Sequence, residues 1–219
     1  MPGAAAGGVT ARVGDGGAVG SPARTQTRSE RAVLQVVTGL LETEGYEAVR
    51  IRDVAARAHV STRTIYESFG NRDEMIVTAL QQWMQENVKD PVNAIEPVPG
   101  EPIDDGLMRL FRQIFEPWER HPRLLMAVDI ARRGPGGERL VTFGRHAFQP
   151  AIHKVLKDTD PEYARDVSEI LYHVVVGLLG QFRDRDLPIT SLLPVIERAV
   201  RRLTESRAAR PAGSSGGHG

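Results

Sequence analysis

The residues most able to do chemistry lie in the run Ser61-Thr62-Arg63-Thr64-Ile65-Tyr66, which brings hydroxyls, a guanidinium and a phenol together within two helical turns. A guanidinium presents N–H donors that match guanine O6 and N7 or a phosphate, and a hydroxyl can donate to or accept from a base edge. A helix N-terminus favours anions through its free N–H groups and its dipole. The chemistry predicted is therefore non-covalent reading of a DNA major groove. Thr62, Arg63 and Thr64 lead the helix as the expected base readers, with Ser61 beside them as cap and contact. Tyr66, Arg52 and Arg72, with Arg50 as a further candidate, are expected to position phosphates. Arg and Thr also cover the exposed helix of any small bundle, and composition alone leaves that plain reading open.

Positioning such a helix takes a small core behind it. Ile51, Val54 and Ala55 recur at i, i+3, i+4, as do Ile65 and Phe69 further on, so two short helices share one apolar face. Between them Ala58-His59-Val60-Ser61 breaks the period, and Ser61 can cap a helix starting at about Thr62. The preceding helix opens with Thr27-Arg28-Ser29-Glu30, a capping-box pattern, and runs to about Glu44 with Val33, Val36, Val37, Leu40 and Leu41 on one face. Gly45 can end it in a left-handed conformation. Asn71-Arg72-Asp73-Glu74 starts a fourth helix reaching about Val88, with Met75, Val77, Leu80 and Met84 on its apolar side.

The stretch Gly45 to Met75, GYEAVRIRDVAARAHVSTRTIYESFGNRDEM, resembles the N-terminal domain of the TetR family of transcriptional regulators. The resemblance rests on the aromatic after Gly45, the D-V-A-A-R-A of the second helix, the V-S turn, the T-I-Y-E-S-F helix and the N-R-D-E opening of the next. It implies a homodimeric, all-helical regulator, a repressor of a palindromic operator, whose larger C-terminal domain binds a small effector. Three departures stand out. Val49 and Arg50 occupy positions where such proteins commonly place a capping Thr or Ser, so the second helix lacks an acceptor worth about 1 kcal/mol. His59 stands where the turn usually has Gly, which strains it if φ is positive. Glu67 puts a carboxylate on the recognition helix, so it either faces away or reads a cytosine amino group. A narrower resemblance, in GYEAV, D-V-A-x-R-A-x-V and the H-P-x-L-L-x-A of His121 to Ala127, is to the actinobacterial TetR-type regulators of sterol catabolism, and it implies a bulky acyl-CoA effector.

Composition bounds the rest. The chain has 219 residues and balances 28 basic against 28 acidic side chains, so any affinity for DNA comes from local placement. With no Cys there are no disulfides, thiolate metal sites or Cys nucleophiles, which fits a reducing cytoplasm. Neither a run of about 18 apolar residues nor a signal-peptide core occurs, and a soluble, cytoplasmic protein is expected. The expected organisation is a disordered tail over 1–26, a helix-turn-helix domain over 27–75, an effector-binding and dimerisation domain over 76–206, and a second disordered tail over 207–219.

The four prolines from Pro91 to Pro102 predict a surface connection rather than helix. Beyond it Phe111, Phe115, Trp118, Leu125, Met126, Phe143 and Tyr172 gather aromatic, Leu and Met side chains from several predicted helices. The resemblance implies that they line a pocket for a largely apolar effector, whereas a plain core would use the same stripe. Arg109, Arg112 or Arg120 could meet an anionic group on such a ligand. The last two helices carry Ile170, Val174, Val175, Leu178 and Phe182, then Leu192, Ile196 and Val200, a stripe wide enough to predict a dimer's four-helix bundle. Enzymatic readings find no constellation: His146, His153 and His173 lack metal spacing, no nucleophile elbow or phosphate loop occurs, and Asp104-Asp105 and Asp184-Asp186 fall at helix ends. No cofactor is called for, and no membrane. The alternative is an all-helical enzyme or small-molecule binder carrying an unused helix-turn-helix-like subdomain.

Overall fold

The computed structural model describes residues 26–208; of the tails expected over 1–26 and 207–219, residues 1–25 and 209–219 lie outside the described residues. Helix α1 (Arg28–Thr43) begins in the expected capping box, with Glu30 N donating to Thr27 Oγ1 at 3.1 Å and Thr27 N donating to Glu30 Oε2 at 2.8 Å. It buries Val33, Leu34, Val37, Leu40 and Leu41 against α2 (Ile51–Ala58) and α4 (Arg72–Met84). Gly45 follows with φ 92° and ψ −179°, a positive φ as expected but in an extended rather than left-handed helical backbone. One tight turn, Tyr46–Ala48, then leads into α2.

No side chain caps α2, as Val49 and Arg50 predict, and His59 ends it at φ 54°, ψ 41°, in the left-handed region. Helix α3 (Thr62–Phe69) starts from Ser61, whose Oγ accepts from Thr64 N at 3.0 Å. Ile65 is its one fully buried residue and fastens the helix to the small core.

Helix α4 opens on Asn71, whose side chain accepts from Glu74 N at 2.9 Å. The expectation that helix stops before Pro91 fails. Chain direction is kept through a single π turn, Gln85–Lys89, into α5 (Asp90–Asn93). Pro91 has no N–H to give Asn87, and its ring would clash with that carbonyl in a regular helix. The wider turn, in which Asp90 N–H reaches the carbonyl of Gln85, accommodates it. Only from Ala94 to Pro102 is the connection non-helical.

The larger domain is built on α6 (Ile103–Arg120), which stays helical through Pro117 and buries Leu107, Leu110, Phe111, Ile114, Phe115 and Trp118. Around it lie α7 (Pro122–Ala131), α8 (Glu138–Ala147), α9 (Gln149–Leu156), with Pro150 just after the α8–α9 bend, α10 (Pro161–Arg183) and α11 (Leu192–Ala208). The all-α class expected from the sequence holds, with no strand among the described residues. Helix α11 reaches two residues past the expected domain end.

The residues expected at the dimer face differ in burial. Leu192, Ile196 and Val200 have no exposed surface within a single chain, and Leu178 is nearly as buried; α11 packs on α6 and α10. Four-residue spacing marks a buried stripe without saying which neighbour buries it. Exposed on α10 instead are Ile170 and Val176, each 44% accessible, flanked by half-buried Val174, Val175 and Phe182.

Candidate nucleic-acid interface

Helix α3 holds its first turn outward. Thr62, Arg63, Tyr66 and Glu67 are exposed, whereas Thr64 is half-buried and its hydroxyl lies 2.9 Å from Ser61 Oγ. Ser61 and Thr64 therefore satisfy each other and the backbone, which makes them part of the cap as much as part of a reading surface. Arg63 has 86% of its side chain exposed, and its Nε donates to Glu67 Oε1 at 2.8 Å. Tyr66, 54% exposed, presents much of its aromatic body to solvent. Arg50 and Arg52, before and within the first turn of α2, are exposed as well. Thr62, Arg63, Tyr66, Arg50 and Arg52 are thus all exposed on a two-helix element that buries Val54, Ala55, Ala58 and Ile65.

Arg72 does not join them. Its Nε donates to the Val49 carbonyl at 2.6 Å, its Nη2 donates to the Tyr46 carbonyl at 2.6 Å, and its guanidinium lies 4.8 Å from the Tyr46 ring centre. The group expected on phosphate instead ties the start of α4 to the turn before α2. Burial pushes the Tyr46 phenol above its ordinary pKa, with Asp73 adding and Arg72 opposing.

Contacts that join α1 and α4 to the larger domain bring in Glu42, Trp83, Arg123 and Arg139, which the sequence did not single out. Glu42, near the end of α1, meets His121 Nδ1 at 2.5 Å, and Arg123 donates to the Thr43 carbonyl. Trp83 of α4 packs on Trp118, ring centres 4.7 Å apart, and edge-on to His121 at 5.5 Å. Glu74 pairs with Arg139 at 2.6 Å. Only the His121-Pro122 turn signal hinted at this seam; which residues face across it depends on tertiary packing.

The residues expected to line an effector pocket divide. Phe111, Phe115, Trp118 and Leu125 are core side chains of at most 5% exposure, while Met126, Phe143 and Tyr172 are half-buried. Two cavities, about 320 Å³ beside Pro97–Ile103 and Lys154, and about 410 Å³ beside Arg132, Glu138 and His146, are lined by none of the seven. Of the arginines named for an anionic group, Arg109 is paired with Glu101 at 2.7 Å, and Arg112 and Arg120 are exposed.

Residues 34–79 match the family of bacterial regulatory proteins of the tetR type, and residues 100–203 match the tetracyclin repressor-like C-terminal domain. The chain belongs to the TetR family, and with it to the DNA-binding transcription regulators rather than to the enzymes. Among solved structures it is similar to a TetR transcriptional regulator from Rhodococcus sp. RHA1, with TM-score 0.63 and 17% identity over 85% of this chain and 100% of that one. A tetR-family transcriptional regulator from Streptomyces coelicolor is similar at TM-score 0.59 and 21% identity, over 83% of this chain and 82% of that one. At those identities the likeness is one of fold. A search of curated protein sequences finds no significant match, and nothing in the comparisons singles out the sterol-catabolism regulators.

Proposed function

We propose that the protein is a cytoplasmic, homodimeric repressor that reads a palindromic operator and releases it when a largely apolar effector binds the larger domain. The observation that carries the DNA half is the open first turn of α3: Arg63 and Thr62 stand clear of the core, and Ser61 fixes the helix start from which they project. Thr62, Arg63 and Thr64 read bases, while Tyr66, Arg50 and Arg52 position phosphates. Arg72 acts behind them as a strut.

Dimerisation runs through α10. Gly177 is exposed in mid-helix, and a Cβ built there would meet nothing within 4 Å among the described residues. Glycine at such a place costs about 1 kcal/mol against Ala. Close approach of a partner helix over Ile170, Val174, Val175, Val176 and Phe182 accounts for it. Leu178, Leu192, Ile196 and Val200 support that face from inside.

The effector binds among Phe111, Phe115, Trp118, Leu125, Met126, Phe143 and Tyr172 and displaces the packing of the buried members of that set. A ligand that binds the displaced packing more tightly shifts the dimer away from the DNA-binding arrangement. Movement of α6 and α7 then reaches α1 through Glu42–His121 and reaches α4 through Trp83–Trp118. The test is duplex binding followed by fluorescence anisotropy across salt concentrations, with sedimentation in parallel. A palindromic site bound by a dimer with a steep salt slope supports the proposal; equal, weak binding to every duplex, or a monomer at micromolar concentration, defeats it.

A further inference from the structure

Glu67 is out of place on a surface meant for a polyanion, and its partner is out of place on the helix. Arg63 is the second residue of α3 and Glu67 the sixth, so a cation sits at the positive end of the helix dipole and an anion near the negative end. Glu N-terminal to the cation is the better order at this spacing; here the order is reversed. An exposed pair of this kind adds little to stability, and the carboxylate repels phosphate. Neither helix stability nor general DNA affinity accounts for the contact.

Its geometry does something else. Glu67 Oε1 takes the Nε proton of Arg63 at 2.8 Å, on a side chain otherwise 86% exposed. With Nε occupied, the guanidinium plane is held and the terminal Nη1 and Nη2 groups remain to donate as a parallel pair. That pair matches O6 and N7 of guanine in a major groove. An arginine so held loses less side-chain freedom on docking than one that swings free. Once the groove excludes water, the Arg63–Glu67 contact strengthens.

We infer that Glu67 is a positioning residue that orients Arg63 end-on, so that each half-site carries a G·C pair read through guanine at that step. This rests on the DNA-reading role proposed above. The experiment measures affinity of the full chain for an operator selected by the wild type, with each half-site position changed in turn to the other three bases, for wild type, Arg63→Ala, Glu67→Ala, Glu67→Gln and Arg63→Ala/Glu67→Ala. The wild type should prefer guanine at one half-site position by about ten-fold or more. Arg63→Ala and Glu67→Ala should both lose that preference, at the same position, and the double variant should lose nothing further there. Glu67→Ala should bind random duplex as tightly as the wild type or more tightly, and Glu67→Gln, which keeps an oxygen for Nε, should restore part of the guanine preference. Unchanged preference in Glu67→Ala, or a loss at a position that Arg63→Ala leaves intact, would overturn the inference while leaving DNA reading in place. A wild type that selects no operator at all removes the reading beneath it.

Discussion

Replacing Arg72 by Ala separates a strut from a phosphate contact. Two charge-assisted hydrogen bonds to the backbone are removed, Nε to the Val49 carbonyl and Nη2 to the Tyr46 carbonyl, each 2.6 Å, together with a longer contact from Nη1 to Asp73 at 3.4 Å and the guanidinium over the Tyr46 ring. Bonds to a charged donor contribute roughly 1.5–3 kcal/mol each, and the low end applies because water can reach a side chain that is 30% exposed. The loss should come to about 3 kcal/mol, or about 6–12 °C in Tm for a chain of this size. Arg72→Lys, which can reach only one carbonyl at a time, should recover about half of it. Thermal unfolding followed by circular dichroism reads the stability, and anisotropy on operator and random duplex reads the salt slope. The strut account predicts a lower Tm with an unchanged slope at temperatures where the variant is folded. A wild-type Tm with a slope flattened by about one unit would return Arg72 to the phosphates and refute the reasoning.

Four further outcomes follow from the same geometry. Arg63→Ala should cost about 1–3 kcal/mol on the operator and much less on random duplex; equal losses on both would remove its base-reading role. Val176→Asp, at an exposed α10 position, should sediment as a folded monomer that no longer binds the operator, and a variant that stays dimeric would move the interface elsewhere. His59→Gly should stabilise the fold by about 0.5–1 kcal/mol, because φ 54° disfavours a side chain there; a fall in Tm would show that the imidazole contributes more than the strain costs. The Arg109 guanidinium holds Glu101 below the usual carboxylate range, so the stability from this pair is full at neutral pH and is lost as pH falls through that lowered value. Arg109→Ala should shrink the acid limb of the stability profile, and an unchanged limb would show that the pair contributes nothing.

Signals that depend on neighbours in the chain were legible. Thr27 with Glu30, Ser61 and Asn71 each cap the helix that their type and spacing predict, and His59 takes the positive φ that a glycine usually supplies. The family pattern made the reading helix legible together with its outward residues Thr62, Arg63 and Tyr66. What escaped depends on partners distant in sequence. An arginine's type does not say which oxygen it will find, and Arg72 found two backbone carbonyls more than twenty residues back. The stripe on α11 is the same whether α6 or a second chain covers it. Aromatic convergence looks alike in a core and in a pocket, so the sequence did not say that Phe111 and Phe115 would be packed as core side chains. Pro91 reads as a stop because proline removes one donor, but a π turn absorbs that loss without ending the helix.

The most direct test of the central claim is selection of bound duplexes from a random pool by the full-length protein, followed by sequencing. A dimer presenting two α3 helices should enrich a two-fold symmetric motif whose half-site centres lie about one helical turn, roughly 10 base pairs, apart, and Arg63→Ala should blur one position in both halves alike. Enrichment of no motif, or of a single asymmetric site indifferent to Arg63, would contradict it.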